Sequence, residues 1–367
     1  MSKAIITFFQ PSITEWFEAA GTDVDLNAFR TEDFGKIGRL EILYQTIALP
    51  YERPESFPAR ELKEKSPAFV KILEERGNDL CAIRLVPVRP ELPKLRQRGL
   101  TILDCYENWF LKQDINLDEY TAFVCPHSET LLWSATFVVN EEAIFGEIVE
   151  GLHSELTHGD TKSTVYKFRF DFQNWQWSEE NSEAKKRIEQ MLALMCVENE
   201  DVQNNLRSTL NAKFSHDYIQ GYFEATVWPK GNIYIIDYNR LLPSFIPTPA
   251  PFVESLSHDL KGYAVYPGVV VGRVVKVRAE SIAAVDFEEG AILVCDNTDV
   301  RYLPLMKRAG AIITDRGGIL SHAAIVAREL KKPCIVAAKI GMQVLMDGDL
   351  VEVNADHGTV RIIEKAK

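Results

Sequence analysis

His322 sits where a histidine could accept a phosphoryl group. Gly317, Gly318 and Ser321 precede it, and an alanine-rich apolar run, Ala323-Ala324-Ile325-Val326-Ala327, follows. Ser321 is a helix N-cap in type and position, so the spacing predicts a helix that begins at the histidine. A helix N-terminus presents free backbone N–H groups and partial positive charge, which favours a phosphate and disfavours imidazolium. A neutral imidazole there is a nucleophile towards phosphorus. Glycine ahead of it lets the backbone approach a bulky anion. A buried histidine capping a core helix is the plainer reading, but such a residue has no need of two glycines upstream.

The surrounding segment must position that helix. Lys331-Lys332-Pro333 ends it, and Cys334-Ile335-Val336 reads as a strand. The stretch from Thr314 to Leu330, with its Gly-Gly-Ile-Leu-Ser-His-Ala-Ala core, resembles the phosphohistidine mobile domain of the phosphoenolpyruvate-utilising enzymes. That family includes the pyruvate phosphate dikinases, the phosphoenolpyruvate synthases and the rifampin phosphotransferases. The likeness extends along Tyr263–Val277, with its Pro-Gly turn and second glycine, and through the strands at 290–295 and 309–314. A closing hairpin at 347–363 completes residues 262–365. The resemblance implies a swivelling β/β/α domain in which His322 is the nucleophile, on a loop built from Gly317, Gly318 and Ser321. It also implies that the retained phosphoryl group comes from the β position of ATP, with AMP and phosphate released. Arg328, six residues after His322, falls about 240° around the helix, so we expect it to anchor the helix by a salt bridge.

A second constellation lies near residue 230. Tyr222–Trp228 and Ile233–Asp237 read as two strands joined by Pro-Lys-Gly-Asn. Glu224, Asp237 and Asn239 can converge oxygen ligands of the hard type that suits Mg²⁺ on nucleotide phosphates. Arg240 beside them can neutralise phosphate charge. This hairpin resembles the metal-binding hairpin of the ATP-grasp fold. Phe145–Asp160, Phe34–Leu40 and Cys81–Arg89 are similar, in family order, to segments of the dikinase nucleotide domain, which would make Lys36 and Arg84 phosphate contacts. The departures are specific: Phe34 replaces a glycine, Leu85-Val86 replaces Ser-Ser, and Asp237-Tyr-Asn-Arg replaces Gln-x-Arg-Pro. His127, His153 and His158 have no metal-ligand spacing and are read as structural.

Composition sets the outer bounds. The chain has 367 residues with 46% hydrophobic and 26% charged side chains, enough for two or three folded domains. A net charge of −12 argues against nucleic-acid partners and gives no reason to expect an anionic membrane. No apolar run reaches membrane-spanning length, the N-terminus lacks a signal-peptide pattern, and the six cysteines form no C-x-x-C pair. The expected location is the cytoplasm, with buried reduced thiols. Residues 178–210 have helical periodicity and read as a surface helix. Four prolines between Leu242 and Pro251 mark a semi-rigid spacer.

The expected organisation is an α/β nucleotide domain of ATP-grasp type at 1–241, a proline-rich linker at 242–261 and the phosphohistidine domain at 262–367. The expected activity is ATP- and Mg²⁺-dependent self-phosphorylation of His322, followed by transfer to an acceptor. That acceptor is a small molecule or protein, bound in the interdomain cleft or on a separate polypeptide. Two other readings are a small-molecule kinase with its acceptor in the cleft, and a non-catalytic nucleotide-binding regulator.

Overall fold

The computed structural model describes residues 13–21, 24–89, 92–157, 163–249 and 260–366. Two compact units emerge. The first contains Pro50–Leu131 and Trp228–Tyr234, and the second contains Pro11–Leu49, Leu132–Val227 and Ile235–Lys367. The histidine segment therefore shares a unit with most of the expected nucleotide domain, and no unit boundary falls in the expected linker.

In the first unit, strands β1 (Glu55–Pro58), β2 (Leu80–Pro87), β3 (Leu95–Thr101) and β4 (Tyr120–Pro126) form an antiparallel sheet in the order β1-β4-β2-β3. Phe57, Phe69, Ile83, Leu85, Tyr106 and Phe110 fill its core. The helix Pro67–Arg76 starts where the sequence provides both an N-cap and a first-turn proline. Ser66 Oγ accepts from Phe69 N, and Pro67 occupies a position that needs no donor.

The second unit has two large sheets. Strands β5 (Trp133–Val139), β6 (Ile144–Val149), β7 (Val165–Phe170) and β8 (Trp175–Trp177) belong to the first of them. After the short pair β9 (Phe214–Ser215) and β10 (Tyr218–Ile219), β11 (Gly221–Val227) and β12 (Ile233–Asn239) complete it in the order β12-β11-β5-β6-β7-β8. Side chains alternate across a strand and cross-strand partners share a face, so register defines two faces. One carries the row Phe223–Phe137–Gly146–Phe168, with Phe137 and Phe223 stacked at 5.5 Å and Tyr238 stacked on Phe223 at 4.9 Å. The opposite face carries Glu224–Thr136–Glu147–Lys167.

The region read as one surface helix is two, Ser182–Ala193 and Glu200–Leu210. Asn181 and Asn199 each cap a new start by accepting two backbone N–H groups. The apolar stripe Ile188, Met191, Leu192 is buried, as its periodicity requires.

The other sheet has eight strands: β13 (Leu260–Lys261), β14 (Tyr263–Tyr266), β15 (Val269–Val277), β16 (Ile292–Cys295), β17 (Ala311–Thr314), β18 (Cys334–Val336), β19 (Leu350–Asn354) and β20 (Thr359–Glu364). β15 is shared. Its first half pairs antiparallel with β19 and its second half parallel with β16, and β16, β17 and β18 continue in parallel. The expected strands and closing hairpin are thus present in a mixed α/β fold.

The expected linker begins later than its first proline. Leu242–Phe245 is a 3-10 turn, and Leu242 and Ile246 are buried with Phe17, Phe29 and Phe245 close by. Residues 250–259 lie outside the described residues.

The aromatic row makes the six-stranded sheet's apolar face a firm core. Phe137→Ala should lower the unfolding free energy by about 3–5 kcal/mol, read as a fall in the urea midpoint. A wild-type midpoint would mean that this face is not packed as described.

Candidate active site

Gly35 precedes the helix Lys36–Ile47, so Lys36 is its first residue. Its Nζ reaches Asp237 Oδ2 at 2.9 Å. The sequence had suggested one as a phosphate contact and the other as a metal ligand, and the fold makes them partners. Burial raises the Asp237 carboxyl above its ordinary range, Lys36 offsets part of that rise, and Glu224 adds to it. The two carboxylates are thus close enough to feel each other's charge.

Glu224 has a neighbour at each oxygen. Tyr222 donates to Oε1 at 2.8 Å, and His153 Nε2 lies 3.3 Å from Oε2. Burial, and then the Glu224 charge, push the Tyr222 phenol well above its usual range, so it stays protonated and donates. His153 was read as structural and instead contacts a candidate metal ligand. His158, likewise read as structural, lies outside the described residues.

Two candidates are committed elsewhere. Asn239 Oδ1 accepts from Leu241 N and Leu242 N, both at 2.9 Å, which uses both lone pairs of its carbonyl to fold the chain after β12. Arg240 faces Glu32: its Nε lies 3.0 and 3.2 Å from the two carboxylate oxygens, and its backbone N–H donates to Oε1 at 2.7 Å. Arg39 adds a contact at 3.4 Å to the same carboxylate. Burial would raise the Glu32 carboxyl, but Arg240 and Arg39 together bring it below its ordinary value. These corrections share one cause. The sequence shows which residues are near the hairpin but not which face each side chain takes.

Glu224 and Asp237 remain as candidate carboxylate ligands. Among the described residues no cluster of three His, Cys, Asp or Glu side chains is placed to cage a metal. Mg²⁺ needs no such cage, since it usually binds one or two carboxylates with water and substrate phosphates, so this pair fits it. The face has further unfilled capacity. Thr136 Oγ1 and Thr226 Oγ1 are buried without hydrogen-bond partners among the described residues, as hydroxyls lining a ligand surface would be.

Arg84 lies in the first unit, on β2. It stands opposite Arg96 of β3, with Arg98 two positions further along β3 on the same face. Like charges directly across a sheet repel, and an anion on that face would relieve the repulsion.

The histidine helix runs His322–Glu329, and Ser321 caps it, its Oγ accepting from Ala324 N at 3.3 Å. Gly317 has φ +111°, a conformation that disfavours any side chain. Gly318 lies against a side chain of the other sheet. A Cβ there would lie 2.0 Å from Glu147 Oε2. A small pocket beside the loop is lined by Thr298, Thr314, Arg316, Gly317 and Ser321, among others.

Arg328 does anchor the helix, but through carbonyls. It donates to Ile319 O at 2.8 Å and Val265 O at 3.1 Å, and burial pushes its guanidinium down to about 10. No carboxylate pairs with it among the described residues, in place of the expected salt bridge.

Residues 287–358 match the family model described as PEP-utilising enzyme, mobile domain. That segment is a PEP-utilising enzyme mobile domain. A probable phosphoenolpyruvate synthase of Archaeoglobus fulgidus is 46% identical over 101 residues, which are 28% of this chain and 13% of that protein. The phosphoenolpyruvate synthase of Aeropyrum pernix is 44% identical over 101 residues, 28% of this chain and 12% of its own length. The chain thus spans only about an eighth of these relatives. An ATP-grasp ligase, PsnB, solved with minimal precursor, Mg and ADP, superposes on 57% of this chain and 51% of its own at 9% identity and a TM-score of 0.28. Among the described residues no helix is long and apolar enough to cross a membrane.

The residues that composition and spacing missed are Thr136, Glu147 and Lys167. Glu147 is the one charged residue in the strand Ile-Phe-Gly-Glu-Ile-Val, and that interruption is the signal that could have found it, whereas Thr136 and Lys167 share their strands with Ser134 and Arg169.

Arg328→Met should destabilise the second unit by about 2–4 kcal/mol, because it leaves two buried carbonyls without a donor. Calorimetry of the full chain reads the loss. An unchanged transition would show that the carbonyl contacts contribute nothing.

Proposed function

We propose that this chain is an ATP-dependent phosphotransferase of the phosphoenolpyruvate-utilising type, with His322 as its phosphoryl carrier. The observation that carries the reading is the pairing, within one compact unit, of a matched mobile domain with a polar sheet face. That face bears Lys36, Asp237, Glu224 and two threonines unpartnered among the described residues.

On this reading the nucleotide would lie on the polar face, and Glu224 and Asp237 would hold Mg²⁺. When bound, the metal supplies charge neutralisation across the phosphates. Lys36, paired with Asp237, would contribute a further positive charge beside the phosphates. Tyr222 holds Glu224 in position, and His153 lies beside its other oxygen. In the mobile domain the free N–H groups at the start of the helix stabilise a transferred phosphoryl group.

The neutral His322 attacks the β-phosphorus of ATP, the bond from that phosphorus to the α,β-bridging oxygen breaks, and AMP leaves. Water then removes the outer phosphate from the pyrophosphorylated histidine and leaves the former β-phosphoryl group on nitrogen. Transfer to an acceptor regenerates the imidazole. The acceptor is a small molecule or protein, in this chain or on another polypeptide.

Incubation with Mg²⁺ and ATP labelled at the β position should place acid-labile, base-stable label on His322. Label at the γ position should not be retained, and His322→Ala should take up none while still binding nucleotide. Label on His322→Ala, or retention of γ label alone, would overturn the mechanism.

The metal assignment makes a separate prediction. Glu224→Ala and Asp237→Ala should each reduce AMP formation by about 10²-fold or more with the thermal transition retained. Asn239→Ala should instead lower stability, because its oxygen folds the chain. Wild-type AMP formation by both carboxylate variants would remove Mg²⁺ from this hairpin.

A further inference from the structure

The polar row of the six-stranded sheet ends in a pair that nucleotide binding does not explain. Glu147 of β6 is fully buried, directly across from Lys167 of β7, and their charged atoms are 3.4 Å apart. Glu147 Oε2 faces the loop ahead of the histidine helix. Leu320 N donates to it at 3.5 Å, and the carboxylate lies so close to Gly318 that a Cβ there would push it aside. Lys167 Nζ lies 3.6 Å from the centre of the Tyr263 ring, on β14 of the C-terminal sheet. The two residues therefore clasp the histidine segment at two points, the carboxylate on the loop and the ammonium on an aromatic face.

The position of the carboxylate matters more than the clasp. Among the described residues Glu147 Oε1 makes no hydrogen bond, and Lys167 is its ion-pair partner. A buried anion is thus placed against the loop that opens the histidine helix, a place that favours negative charge. Arg328, buried under the same loop and lacking a carboxylate partner among the described residues, feels the Glu147 charge.

We propose that Glu147 is a positioning residue that docks the unphosphorylated histidine loop on the sheet, and that a phosphoryl group on His322 expels the loop by repelling this carboxylate. The inference rests on the reading of His322 as the phosphoryl carrier. Loading the carrier would itself release it. A phosphoryl group on His322 adds negative charge at the start of a helix whose preceding loop already faces this carboxylate, in surroundings with little water to screen the repulsion.

Hydrogen exchange of the amides at 317–320 in the full chain tests this without requiring turnover of ATP. Phosphoramidate supplies the phosphoryl group chemically, and His322→Glu supplies a permanent negative charge without any reagent. In the wild type these amides should be protected, and modification of His322 should speed their exchange at least about tenfold. His322→Ala treated with phosphoramidate should stay protected, and His322→Glu should exchange fast from the start. Glu147→Gln keeps an acceptor oxygen without charge, so its loop should remain protected both before and after modification. Glu147→Ala should be unprotected throughout. Unchanged protection in both phosphorylated wild type and His322→Glu would overturn the proposal, as would release of Glu147→Gln on modification. If ATP fails to label His322 while these exchange results hold, the fault lies with the nucleotide reading and not with the docking carboxylate.

Discussion

A sheet with charged residues on a buried face has to satisfy them, and this requirement organises the second unit. On the apolar face of the six-stranded sheet, Phe137, Phe223, Phe168 and Tyr238 pack against one another. On the other face, Glu224, Thr136, Glu147 and Lys167 stand in one cross-strand row. Such groups in low-dielectric surroundings need partners, or their desolvation goes uncompensated. The fold provides some of them from within: Tyr222 and His153 for Glu224, and Lys167 for Glu147. Thr136 and Thr226 have none among the described residues, and a polar ligand is the simplest supplier of what they lack.

The same requirement separates positioning residues from candidate binding residues. Arg240, Arg39 and Glu32 form a closed set that ties the helix Leu26–Phe34 and the helix Lys36–Ile47 to the end of β12. Asn239 folds the backbone beside them. Their result is to set Lys36 over Asp237 at 2.9 Å. Nucleotide chemistry of the proposed kind depends on charge placed in advance, and this network fixes where that charge stands.

The histidine helix is held in a comparable way. Its N-cap, its left-handed glycine and the Arg328 contacts to Ile319 O and Val265 O all define the backbone ahead of the helix. A guanidinium bonded to two carbonyls rigidifies a loop without bringing a carboxylate close to it. The carboxylate that does come close, Glu147, belongs to the other sheet, and this division allows the loop to be stiff while its docking responds to charge.

Local chemistry was legible in the sequence, and long-range choice was not. The N-cap Ser321, the helix after it, the short strands on either side and the hairpin between Gly221 and Asn239 follow from propensity, capping and period, which act over a few residues. Residue types at 224 and 237 announced hard-oxygen chemistry for the same reason. The tertiary structure decided which side chains meet. It paired Lys36 with Asp237 across about two hundred positions of chain, drew Arg240 to Glu32, gave Asn239 to the backbone, broke one expected helix into two and brought His153 to Glu224. Gly317 and Gly318 look alike in the sequence, yet one is needed for its backbone angle and the other lies against a distant glutamate. Spacing along a chain reports the neighbours a residue has within one element. Strand register and the packing of sheet on loop determine the rest.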